Sequence, residues 1–85
     1  MTDSTASITM YGADWCRDCI RSKRLLDGLG VAYDYIDTEQ GDNAAKAQEI
    51  SGRMQIPVVQ FSDGSFQVEP TDADLRAKLD ELKLV

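Results

Sequence analysis

At 85 residues the chain can form one small domain and leaves no room for a second, and its 42% hydrophobic and 28% charged residues are ordinary for a globular fold. No apolar run approaches the ~20 residues that a membrane-crossing helix requires, which argues against a membrane partner. The net charge of −6 argues against nucleic acid, and the lack of any histidine removes Cys–His nucleophile pairs and histidine-based metal sites.

Residues 1–6 are polar, with neither a basic segment nor an apolar stretch. They are expected to form a flexible N-terminal tail rather than a secretory signal, with the domain proper at residues 7–85. Ile8 to Tyr11 predicts a first strand. A first helix is expected from Cys16 to Leu29, with Leu25, Leu26 and Leu29 facing the core and Gly30 as the stop. Alternation around Tyr33 and Tyr35 predicts a second strand over Ala32 to Asp37. Asp42 or Asn43 is expected to cap a second helix, Ala44 to Ser51, whose alanine-rich face suits close packing and which Gly52 ends.

Pro57 opens a third strand, Val58 to Phe61, and Asp63-Gly64 is a hairpin turn into a fourth strand, Ser65 to Val68. Thr71 is expected to cap a third helix, with Asp74 as a weak capping-box partner and Leu75, Leu79 and Leu82 as its buried stripe. The order β-α-β-α-β-β-α predicts an α/β domain. A right-handed crossover makes the first two strands parallel, the hairpin makes the last two antiparallel, and three helices cover both faces of a four-stranded mixed sheet.

The chemistry concentrates at Cys16-Arg17-Asp18-Cys19, which holds both cysteines of the chain one helical turn apart at a helix start. Amide N–H groups there favour a thiolate over a thiol, and two thiols at this spacing can close a small disulfide. Two cysteines are too few for a secreted disulfide framework, so a redox couple is the leading reading. Half of a zinc site completed by a second chain, or a coincidental pair, are the alternatives. Arg17 favours a Cys16 thiolate and Asp18 opposes it by like-charge repulsion, unless both point into water. Tyr11 is expected in the core.

The run Tyr11-Gly12-Ala13-Asp14-Trp15-Cys16-Arg17-Asp18-Cys19-Ile20-Arg21-Ser22-Lys23 resembles the active-site segment of glutaredoxins, in the thioredoxin superfamily. Gln55-Ile56-Pro57-Val58-Val59 stands where that family has Thr-Val-Pro. Trp15 directly before Cys16, and the ending Asp63-Gly64-Ser65 to Pro70-Thr71, are most similar to the mycoredoxin branch. Three features depart from the family pattern, the first being Ala13 where the family often has a basic residue three before the first cysteine. Arg17-Asp18 replaces Pro-Tyr between the cysteines, and Glu69-Pro70-Thr71-Asp72 lies near the place of the Gly-Gly element that grips glutathione.

The resemblance implies a thioredoxin-like fold and a cytoplasmic, monomeric thiol–disulfide oxidoreductase. Cys16 would be the nucleophile and Cys19 the resolving thiol. Its partners would be protein mixed disulfides, a low-molecular-weight thiol (mycothiol or glutathione) as co-substrate and a flavin disulfide reductase, with no cofactor or metal bound. A cis Ile56–Pro57 bond would face the cysteines, with Ile56 backbone groups offered to the bound thiol. Trp15, Arg17, Thr71 and Asp72 are expected around that thiol. Arg21, Lys23 and Arg53 are solvated charges, any one of which could meet a carboxylate. Two rivals carry different chemistry: a dithiol electron donor to ribonucleotide reductase recharged by thioredoxin reductase, and a dimer bridging an iron–sulfur cluster through Cys16.

Overall fold

A computed structural model describes residues 7–85, so the tail expected at residues 1–6 lies outside the described residues. The elements follow the expected order: β1 (Ile8–Gly12), α1 (Arg17–Gly28), β2 (Asp34–Asp37), α2 (Asn43–Ser51), β3 (Val58–Phe61), β4 (Phe66–Val68) and α3 (Asp72–Glu81). The strands lie in the order β2-β1-β3-β4. β1 runs parallel to β2, with Met10 opposite Tyr35, and antiparallel to β3, with Met10 opposite Val59. β3 and β4 pair antiparallel, with Val59 opposite Gln67. The result is the thioredoxin-like mixed sheet with three helices.

Alternation along β1 and β3 sends side chains to two separate cores. On one face Ile8, Met10, Val59 and Phe61 meet Leu26 of α1 and Leu75 and Leu79 of α3. On the other, Tyr11 and Val58 pack against Ala47 of α2. Leu82, Leu25 and Leu29 pack at the edge of the first core, as the helical spacing predicts.

The ends of the elements differ from expectation for local reasons. Cys16 has extended backbone angles (φ −84°, ψ 115°) and is the N-cap of α1 rather than its first helical residue. At the other end Gly30 is left-handed (φ 70°), and the N–H groups of Gly30 and Val31 donate to the carbonyls of Asp27 and Leu26. That Schellman closure occupies the backbone just after α1, and β2 begins only at Asp34. α2 starts at Asn43 without a side-chain cap from Asp42, while the Asn43 amide donates to the Asp37 carbonyl at 2.9 Å. Ala47 alone of the α2 alanines is buried, because Ala44 and Ala45 fall on the solvent side of the helix. β4 loses Ser65 to the turn, where both its N–H and its hydroxyl donate to Asp63. Thr71 caps α3 as expected, accepting from the Asp74 N–H at 3.0 Å.

Candidate active site

β1 ends at Gly12, whose carbonyl accepts from both the N–H (2.8 Å) and the hydroxyl (3.2 Å) of Thr38. This residue must be glycine for a steric reason: a Cβ would lie 2.8 Å from Cys19 Sγ and 3.2 Å from the Tyr35 hydroxyl. The chain then turns through Ala13, whose carbonyl accepts from the Cys16 N–H at 3.1 Å, and delivers Cys16 to the N-terminus of α1.

Cys16 Sγ takes the place that a serine or aspartate oxygen fills at an ordinary N-cap. It accepts from the Cys19 N–H at 3.2 Å, a bond that a negatively charged acceptor strengthens. The Cys16 thiol also donates to the Ile56 carbonyl at 3.8 Å, across from the cis Ile56–Pro57 bond. Cys16 is not openly exposed at the helix start. It is 7% accessible and packs with Ala13, Cys19 and Ile56. Cys19 lies one turn deeper and is fully buried. Burial above all, and then the hydrogen bond to Cys16, push its thiol up to about 12. Both cysteines are reduced. Only Cys16 reaches a surface opening.

That opening is a cleft of about 360 Å³ lined by Trp15, Cys16, Arg17, Asp18, Met54, Gln55, Ile56 and Glu69. Trp15 (67% exposed) and Met54 (81% exposed) give it an apolar rim. Trp15, Arg17, Ile56 and Cys16 are thus brought together as expected, with Pro57 buried beside Ile56. Thr71 and Asp72 do not line this cleft. Thr71 is engaged as the α3 cap, and Asp72 pairs with Arg21 at 3.8 Å beside a second depression. Arg21 also donates to the Pro70 carbonyl at 3.1 Å and pairs with Asp18 at 3.2 Å, tying α1 to the start of α3.

Glu69 is what the chain presents to the cleft from that side. It is left-handed (φ 49°), and its N–H donates to the Pro57 carbonyl at 2.9 Å. Met54, Gln55 and Glu69 line the cleft without any expectation of a site role from residue type or motif. Their closeness to Ile56-Pro57 and to Pro70 was the available signal. Lys23 lies over the Tyr35 ring, 4.1 Å from its centroid, and Arg53 is exposed and lines neither hollow. Tyr11 is buried on the α2 face of the sheet. Among the described residues no three acidic or cysteine side chains gather as metal ligands, and no helix is long and apolar enough to cross a membrane.

Comparison with known proteins agrees with this geometry. The glutaredoxin family model matches residues 8–66. A Mycobacterium tuberculosis protein assigned as a glutaredoxin is 36% identical over 77 residues, covering 88% of this chain and 92% of that protein. Mycoredoxin 1 of Corynebacterium glutamicum is 35% identical over 80 residues, covering 91% and 98%. Among solved structures, the glutaredoxin-like protein NrdH-redoxin of Escherichia coli, described as having a thioredoxin-like activity profile, superposes with a TM-score of 0.71. It shares 28% identity, over 85% of this chain and 92% of its own.

Proposed function

The chain belongs to the glutaredoxin family, and from that premise we propose that it reduces mixed disulfides between proteins and a low-molecular-weight thiol, mycothiol first and glutathione second. It is a thiol–disulfide oxidoreductase. The choice of mycothiol is supported by the likeness to a protein named mycoredoxin.

One observation carries the mechanism: Cys16 Sγ caps the N-terminus of α1 and opens to the cleft, while Cys19 is sealed behind it with its thiol held protonated. The Cys16 thiolate attacks the small-thiol sulfur of the mixed disulfide. The S–S bond breaks, and the protein substrate leaves as a thiolate that takes a proton from water. The small thiol is now disulfide-bonded to Cys16. A second small-thiol thiolate attacks the sulfur of that adduct, releasing the oxidised small-thiol dimer and restoring the Cys16 thiolate. In the net exchange one free small thiol is oxidised into the small-thiol dimer and the protein sulfur is reduced to a thiol, while the small-thiol sulfur of the original mixed disulfide stays in a disulfide throughout. Through both steps the Cys19 N–H remains aimed at the Cys16 sulfur, where leaving-group charge develops.

Cys19 supplies a slower exit. It would have to lose its proton in a dry site before displacing the small thiol and closing a Cys16–Cys19 disulfide. Cys16→Ser is expected to abolish turnover of a mixed disulfide, and Cys19→Ser to retain it, in a coupled assay with mycothiol as reductant. Comparable loss in both variants would overturn the monothiol route.

The second reading, a dithiol donor recharged by a flavin disulfide reductase, draws support from the likeness to NrdH-redoxin and from the retained second cysteine. The same assay separates the two when run with mycothiol, glutathione, or NADPH plus thioredoxin reductase as the sole electron source. Turnover with the last alone favours the dithiol donor. In either reading the protein works as a cytoplasmic monomer, where small thiols and reductases keep the pool reduced.

A further inference from the structure

A second hollow, larger than the Cys16 cleft, holds neither sulfur. It is a depression of about 540 Å³ on the outer face of α1, lined by Arg17, Ile20, Arg21, Arg24, Leu25 and Asp72. Arg17 lines both this depression and the Cys16 cleft, so the two adjoin. We propose that this depression docks an acidic segment of the protein substrate, carrying an apolar side chain, next to the reacting cysteine. The proposal rests on the mixed-disulfide reading and assigns part of its substrate selectivity.

Charge is the first argument. In a chain of net charge −6, α1 alone carries four of the nine basic residues. Arg17, Arg21 and Arg24 fall at i, i+4 and i+7, one face of the helix, spanning about 10 Å. Like charges at this spacing destabilise an isolated helix. Arg21 is compensated by Asp18 and Asp72 and is engaged at the Pro70 carbonyl. Among the described residues Arg17 and Arg24 enter no ion pair, so the fold makes no use of their charge.

The second argument is shape. Ile20 is 38% exposed between Arg17 and Arg24, and half-buried Leu25 adds a second apolar surface. A hollow of this volume accepts a few side chains, not an entire element. Arg24 lies eight residues beyond Cys16, about 12 Å along the helix axis. An extended substrate at about 3.3 Å per residue therefore brings its third or fourth residue from the reacting cysteine to the Arg24 guanidinium.

The test uses two peptides of equal length, each joined by its single cysteine to mycothiol as a mixed disulfide. One carries Asp, Leu and Glu two to four residues from the cysteine, and the other carries Asn, Leu and Gln there. The wild-type protein is expected to favour the acidic peptide through KM by about fivefold, the order given by one or two exposed ion pairs. Arg24→Glu should abolish or reverse that preference, Arg24→Lys should keep most of it, and 0.5 M salt should flatten it. All three proteins should turn over a small symmetric disulfide equally. Equal use of the two peptides by the wild type overturns the proposal, as does an Arg24→Glu defect that is as large on the small disulfide. Loss of all turnover in the wild type would count against the mixed-disulfide reading instead. Fluorescence anisotropy of the labelled acidic peptide, with serine for cysteine, then judges docking alone: tighter binding than the Asn/Gln peptide supports it, and equal binding overturns it.

Discussion

The reactive centre depends on one close approach. Gly12 lets the end of β1 lie against Cys19, and Tyr35 from β2 closes the same space with its hydroxyl. Gly12→Ala forces a Cβ into sulfur, and overpacking of this kind costs about 1–3 kcal/mol, read as a lower urea midpoint with unchanged slope. The Tyr35 hydroxyl is buried without a hydrogen-bond partner, so Tyr35→Phe should raise stability by about 1 kcal/mol and keep the Lys23 ammonium over the ring. The cysteine pair could be found from the sequence because the spacing itself is the chemistry. The demand on Gly12 could not, since it arises from Cys19 and Tyr35 converging from other elements. Thr71 and Asp72 lie away from the Cys16 cleft for a similar reason. Their residue types suit an anion site, but Arg21 reaches across from α1 and holds that segment against a different hollow.

The helices and strands stand where hydrophobic spacing puts them, and their errors lie at the ends, where closing hydrogen bonds decide. α3 illustrates this. Lys83 is left-handed (φ 58°), its N–H donates to the Asp80 carbonyl, and the Leu84 N–H donates to Leu79, which is the Schellman closure with lysine in the glycine position. Lys83→Gly should therefore stabilise the domain by up to about 1 kcal/mol in thermal or urea unfolding. The β3–β4 turn is fastened to the same helix by Lys78, which donates to Asp63 at 2.9 Å and to Glu81 at 3.0 Å. The Ser65 hydroxyl and then the Lys78 ammonium hold the Asp63 carboxyl well below the usual carboxylate range. The folded state thus favours the ionised form, so the stabilisation is present above about pH 4 and is lost as pH falls further. The stability difference between wild type and Asp63→Asn should be largest near pH 6 and shrink toward pH 2.

For the molecule as a whole, the parallel crossover and the final hairpin followed from chain order. The central place of β1 did not, because it depends on pairing Ile8 with Phe61 far along the chain. Titration at high pH also involves several elements together. Cys19, Tyr33 and Tyr35 are each pushed up to about 12, chiefly by burial, from ordinary values of 9.0 for the thiol and 10.0 for the phenols. For Tyr33 the hydrogen bond to Asp27 adds to the effect. Above those ordinary values the unfolded chain has released protons that the folded one retains. The contribution of these three groups is therefore full below pH 9 and falls as pH climbs toward 12. Melting of the reduced protein should weaken from about pH 9, and Cys19→Ala should delay the onset to about pH 10.

Trp15 is the sole tryptophan of the chain, and it stands two-thirds exposed on the rim next to the reacting sulfur. The domain therefore carries its own optical reporter, undiluted by indoles elsewhere. Anything that covers the rim dries the ring and shifts its emission to the blue, so adduct formation and release can be followed in real time without a dye.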